Sequence, residues 1–144
     1  MAFKSTLGIQ VDRLAANHDN ATVTYFTIAG GKVLITGLVG KITVESGANV
    51  CSWQHDPDAA LAGTTALCGG LDINPALLGD LLGITGVPAG NMTYGGAVEM
   101  FTVDGIVLTI GVLQFIAAAA DGASSWTLWY LPIDAGATVV ATYP

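Results

Sequence analysis

The sequence predicts an all-β chain: a single β-sandwich or jelly-roll-like domain of about eight or nine strands, preceded by an extended N-terminal arm. Three observations predict it. Short runs rich in β-branched and aromatic residues alternate in polarity, glycine-containing turns separate them, and helical periodicity is nearly absent. The 144 residues suffice to bury a core without disulfide or metal staples. Residues 1–20 form the arm or extension and residues 21–144 the sandwich.

The first twenty positions mix Lys4, Asp12, Arg13 and Asp19 with isolated apolar residues and carry no strong strand signal. Residues 22–28 (TVTYFTI) alternate and end at Gly30-Gly31, a two-glycine hairpin signal from which 32–36 (KVLIT) return as the second strand. Gly37 and Gly40 interrupt the continuation to 42–45 (ITVE), which predicts either one bent, bulged strand or two. After a Ser46-Gly47-Ala48-Asn49 turn comes a strand at 50–54 (VCSWQ). Asp56-Pro57-Asp58 marks a turn before 64–68 (TTALC). Asn74-Pro75 is a helix-start pattern, but Gly79 and Gly83 weaken it, so a loop leading into a strand at 81–85 is expected. Residues 86–96 read as loop. Strands follow at 98–103 and 106–116 around an Asp104-Gly105 turn, then at 124–131 and 137–143.

Apolar groups lie on both faces of two of these strands, Ile106, Leu108, Ile110 and Val112 opposing Val107, Leu113 and Phe115 in one. In the other, Trp126, Leu128 and Tyr130 alternate with Thr127, Trp129 and Leu131. Both faces of the first strand are therefore expected to be covered; in the second one side is core, and Trp129 is either buried under a loop or second layer or, with Leu131, a candidate for contact with another subunit.

Charge is scarce. The chain is 52% hydrophobic and only 10% charged, with a net charge of −7. A typical soluble domain is about a quarter charged, so a surface this poor in charge suggests contact with partners. The four bases, Lys4, Arg13, Lys32 and Lys41, all precede residue 42; residues 1–41 sum to +2 and residues 42–144 to −9. Four scattered cations make no phosphate-binding patch, which argues against nucleic acid. The longest uncharged apolar stretch, 105–120, has 16 residues including Gln114. That is short of the roughly 20 that a spanning helix needs, which argues against a membrane span. No basic start followed by an apolar run marks a secretory signal.

The chemistry-bearing residues form no familiar constellation. His18 and His55 stand in unrelated contexts, and no serine lies in a nucleophile-elbow motif. Cys51 and His55 would share a strand face, but Cys51, Trp53 and His55 together read as a half-buried strand ending at a polar tip. Cys51 and Cys68 are expected to be free buried thiols, since no export signal places them in an oxidising compartment. The spacing of Cys51, His55 and Cys68 matches no zinc knuckle, and Asp56-Pro57-Asp58 lacks the other oxygens of a calcium loop. No metal, cofactor or catalytic residue is expected, and the chain is read as a non-enzyme.

Two segments carry a resemblance. Residues 25–43 (YFTIAGGKVLITGLVGKIT) and 125–140 (SWTLWYLPIDAGATVV) resemble small structural proteins encoded in tailed-bacteriophage genomes. Weaker similarity covers 64–73 and 82–86, so the likeness spans about residues 20–142, with Ala29 and Ile133 departing from the pattern. The resemblance implies a virion component. For a compact acidic all-β chain, the implied role is a capsid decoration (cement) protein that binds the major capsid protein and its own copies, as a trimer or hexamer. It would be made in the host cytoplasm and sit on the outer surface of the capsid. Phe3, Lys4 and Arg13 are the capsid-contact candidates on the arm. The alternative is a tail or adhesin-type module that binds a host glycan, for which Trp53 beside His55, Asp56 and Asp58 is the local aromatic and acidic cluster.

Overall fold

A computed structural model describes residues 7–58, 63–84, 90, 92–96 and 105–143. Within them the chain forms twelve strands and no long helix, arranged as two antiparallel sheets packed face to face. The first sheet runs β1 (Ile9–Asn17), β11 (Ala123–Pro132), β3 (Val33–Val44), β7 (Leu81–Gly83) and β8 (Thr93–Gly96), with β9 (Ile106–Leu108) also paired to β3. The second runs β12 (Thr138–Ala141), β2 (Ala21–Ala29), β10 (Gly111–Ala117), β4 (Val50–Pro57) and β5 (Thr65–Ala66), with β6 (Leu71–Asp72) paired to β4. The all-β, two-layer expectation is met, with more strands than the eight or nine expected.

Four local expectations change. Residues 9–17, assigned to the arm, form β1, an edge strand registered on β11 from Ile9 opposite Tyr130 to Asn17 opposite Ala123. Gly30-Gly31 does not close a hairpin, because β2 belongs to one sheet and β3 to the other. The two glycines, at φ 79° and 148°, turn the chain from layer to layer. The run 106–116 is likewise two strands. β9 joins the first sheet, and Gly111, at φ 155°, starts β10 in the second. Residues 93–96, read as loop, form β8; the expected strand at 98–103 and its Asp104 turn lie outside the described residues. The interruption at Gly37 and Gly40 resolves into one long strand, β3, with a bulge opposite the Trp129–Tyr130 step.

The core lies between the layers and is unusually aromatic. Tyr25, Phe26, Trp53 and Phe115 come from the second sheet and Trp126 from the first. Trp53 meets Trp126 edge to face at 4.8 Å and 80°, while Tyr25 stacks on Phe115 at 5.3 Å and 17°. Such pairs add stabilisation of about 0.5–1.5 kcal/mol each beyond the area they bury. Inward residues on β11 are Trp126, Leu128 and Tyr130, which fixes Ser125, Thr127, Trp129 and Leu131 on the outward face.

Candidate functional site

Three arrangements of polar groups inside the fold hold its histidines, its thiols and Arg13, and most of their polar atoms find partners within the protein; the buried Trp53 Nε1 and Thr43 Oγ1 do not. The first ties one end of the sandwich together. His18, 1% exposed, lies between the Asp121 carbonyl (3.0 Å from Nδ1) and the Ser124 hydroxyl (2.9 Å from Nε2). A carbonyl only accepts, so Nδ1 carries the proton of the neutral ring, and Ser124 donates to Nε2. Trp126 Nε1–H donates to the same Ser124 oxygen at 2.9 Å. The Asp121 carbonyl also accepts from Ser46 and Asn49, each at 3.0 Å. Burial lowers the pKa of His18, against the raising effect of its bond to Asp121.

Sequence reasoning did not pair His18 with Ser124, which are separated by 106 positions. Their geometry matches that of a serine and its general base. Ser124 is 0% exposed, and its oxygen already accepts from Trp126, so no substrate has access to it in this fold. The pair acts as a structural knot.

The second arrangement contains the cysteines. Cys51, Trp53 and His55 share the inward face of β4, as the alternation predicts. His55 turns its Nε2 to the Thr109 carbonyl at 3.1 Å, and burial lowers its pKa. Cys51 and Cys68 are free and buried, as expected. Burial pushes the Cys51 thiol up to about 12 and raises that of Cys68, the opposite of what a thiolate nucleophile or metal ligand needs. Among the described residues no group of three His, Cys, Asp or Glu side chains is placed to hold a metal. Trp53 is 0% exposed, which removes the aromatic surface on which the glycan-binding alternative relied.

The third arrangement contains Arg13. Its guanidinium lies 3.8 Å from the centroid of Tyr25 and 5.0 Å from that of Tyr143, and Nε donates to the Thr142 carbonyl at 3.0 Å. At 2% exposure it is inside the protein, so Arg13 is not available as a capsid contact; Phe3 and Lys4 lie outside the described residues. Beyond these, a shallow pocket of about 160 Å³ is lined by Gly31, Lys32, Thr109, Ile110 and Asp134. Sites for drug-sized ligands start at about 300 Å³, so this one is too small.

The outward sheet faces are the remaining candidate. On the first sheet Leu131 lies opposite Leu34, and Leu34 opposite Val107, forming an apolar row across three strands. Leu131 is 41% and Val107 56% exposed, and Trp129, in the next row, is half-buried. Thus the two proposed subunit-contact residues fall on one outward face. The second sheet turns Thr22, Thr24, Thr27, Gln54, Gln114 and Ile116 outward, and Gln54 Nε2 donates a hydrogen bond to Gln114 Oε1 at 2.7 Å across β4 and β10. No known protein family, curated protein or solved structure matches the chain.

Proposed function

We propose that this chain is a non-enzymatic virion structural protein, a capsid decoration (cement) protein that coats the outer surface of a phage head by binding the major capsid protein and its own copies. The observation that carries the proposal is the division of chemistry between inside and outside. The histidines, thiols and Arg13 are consumed by internal contacts, while the broad outward faces are sparsely charged and partly apolar. A protein with that surface binds by area and shape rather than by reacting. The resemblance of residues 25–43 and 125–140 to phage structural proteins supplies the setting, and those segments cover much of β2 and β3 and much of β11 and β12. Trimers or hexamers on local symmetry axes would bury such faces in closed rings.

The arm in this proposal shrinks to the residues before β1, with Phe3 and Lys4 as its contact candidates. The test is location. Cryo-EM of particles should reveal the protein on the head shell, and particles assembled without it should release their genome at lower temperature or milder osmotic shock. Finding it only in the tail, or only in infected cells, would overturn the proposal, as would particles whose heat resistance is unchanged by its omission.

A further inference from the structure

We infer that the outward face of the first sheet is a twofold self-association surface, on which a second copy of this chain docks face to face. This contact is isologous and so goes beyond the ring contacts of the cement proposal, and its test is independent of the virion.

Registered pairs lay the face out in rows. The Leu131–Leu34–Val107 row comes first, and Gln10 and Trp129 follow. Asp12, Thr127 and Val39 form the next row, and Ser125, Lys41 and Leu81 the last. Among the described residues Asp12 and Lys41 are the charges on this outward face, and both are exposed. Gln10 holds the Asp12 carboxylate at 3.0 and 3.1 Å, and the Thr127 hydroxyl holds it at 2.9 Å, so its position is preset.

Asp12 and Lys41 lie two strands and one row apart, about 12 Å between backbones at the usual sheet spacings, and no ion pair joins them within one copy. A twofold axis lying between two such faces brings each Asp12 to the partner's Lys41, reciprocally, so the face is complementary to itself. The second sheet offers no such match. Asp56 and Asp72 are the charges on its outward strand positions, and in a twofold contact they would face only acids.

Area fits a modest dimer. Four strands by about seven residues project roughly 450 Å² per copy, about 900 Å² for the pair before side-chain relief. That is just under the roughly 1,000 Å² at which specific interfaces begin, which makes this a weak dimer.

The full chain, examined by sedimentation equilibrium up to about 200 µM, should pass from 14.6 kDa to twice that mass. Val107→Asp should weaken the dimer at least tenfold while leaving the β-sheet circular dichroism unchanged. Asp12→Lys and Lys41→Asp should each do the same, because each puts like charges together at both reciprocal contacts. Mixing those two variants, or combining them in one chain, restores opposite charges at both contacts and should restore the dimer. A chain that stays at 14.6 kDa overturns the inference, as does an oligomer indifferent to Val107→Asp or single charge variants that the mixture does not rescue. Such a failure leaves the cement proposal standing on particle location, and a tail location would leave the dimer standing.

Discussion

At Gly40 a Cβ would sit 2.6 Å from two ring carbons of Trp126, its cross-strand partner. Glycine is there so that the indole can lie over the backbone, and the ring then reaches Trp53 in the opposite layer. Gly40→Ala should therefore cost about 1–3 kcal/mol, the usual range for overpacking a tight core, read as a lower urea midpoint with unchanged slope. The histidines set a second residue-scale expectation. Burial lowers the pKa of both His18 and His55 in the folded chain, so the unfolded chain binds protons at higher pH. Their contribution to stability is complete above the unfolded pKa of about 6.5 and is lost as pH falls below it toward the folded values. Unfolding midpoints should decline from about pH 6.5 downward. His18→Gln, whose amide can still donate and accept, should flatten that decline, and an equally steep acid limb in His18→Gln and His55→Gln would show that other groups drive it.

Among the elements, β1 departs most from what its sequence suggests. Its inward positions include Val11 and Arg13, and a buried arginine in an otherwise mixed segment reads locally as a solvated arm. The ring faces of Tyr25 and Tyr143 and the Thr142 carbonyl make the burial possible, and those groups come from distant positions in the chain. Leu14 N–H also donates to the Tyr143 hydroxyl at 3.1 Å, so β1 and the tail after β12 close one edge where the two sheets meet. Removing residues 1–14 should strip this edge strand, expose part of the aromatic core and lower the melting temperature. Removing residues 1–6 should leave the melting temperature near wild type and test the arm as a shell contact. Equal melting temperatures for the two truncations would show that β1 contributes nothing to stability.

The strand at 106–116 illustrates a different limit. Apolar residues on both of its faces suggested one strand covered on both sides. The actual cause is a change of layer at Thr109 and Ile110, which lets Leu108 point into the core from the first sheet and Leu113 and Phe115 from the second. A period-2 pattern that slips phase midway looks two-sided when read as one element.

For the molecule as a whole, the scarcity of charge acquires a location. Lys41 and Asp12 share one outward face, Arg13 is internal, and Lys32 sits 4.0 Å from Asp134 at the turn between layers. The basic first third of the chain is therefore not a free cationic region over the span that the structure describes. Attraction to an acidic shell would depend on Lys4 and on whatever charge Lys32 and Lys41 leave unpaired. Raised salt should accordingly weaken self-association only modestly, since the apolar row contributes independently of ionic strength.

By itself the sequence determined the class of fold and which residues share a strand face, because alternation is a property of neighbouring positions and needs no partner to be read. That logic found β2, β4, β7, β11 and β12, and it placed Cys51, Trp53 and His55 on one face and Trp129 and Leu131 on another. The tertiary structure alone decided which strands share a sheet, that Gly30-Gly31 is a crossing rather than a hairpin, and that His18 meets Ser124. It also decided that Arg13 and Trp53 are withdrawn from the surface. Each of these is a contact between residues far apart in the chain, set by how two twisted layers pack on a shared aromatic core, and no local pattern encodes it.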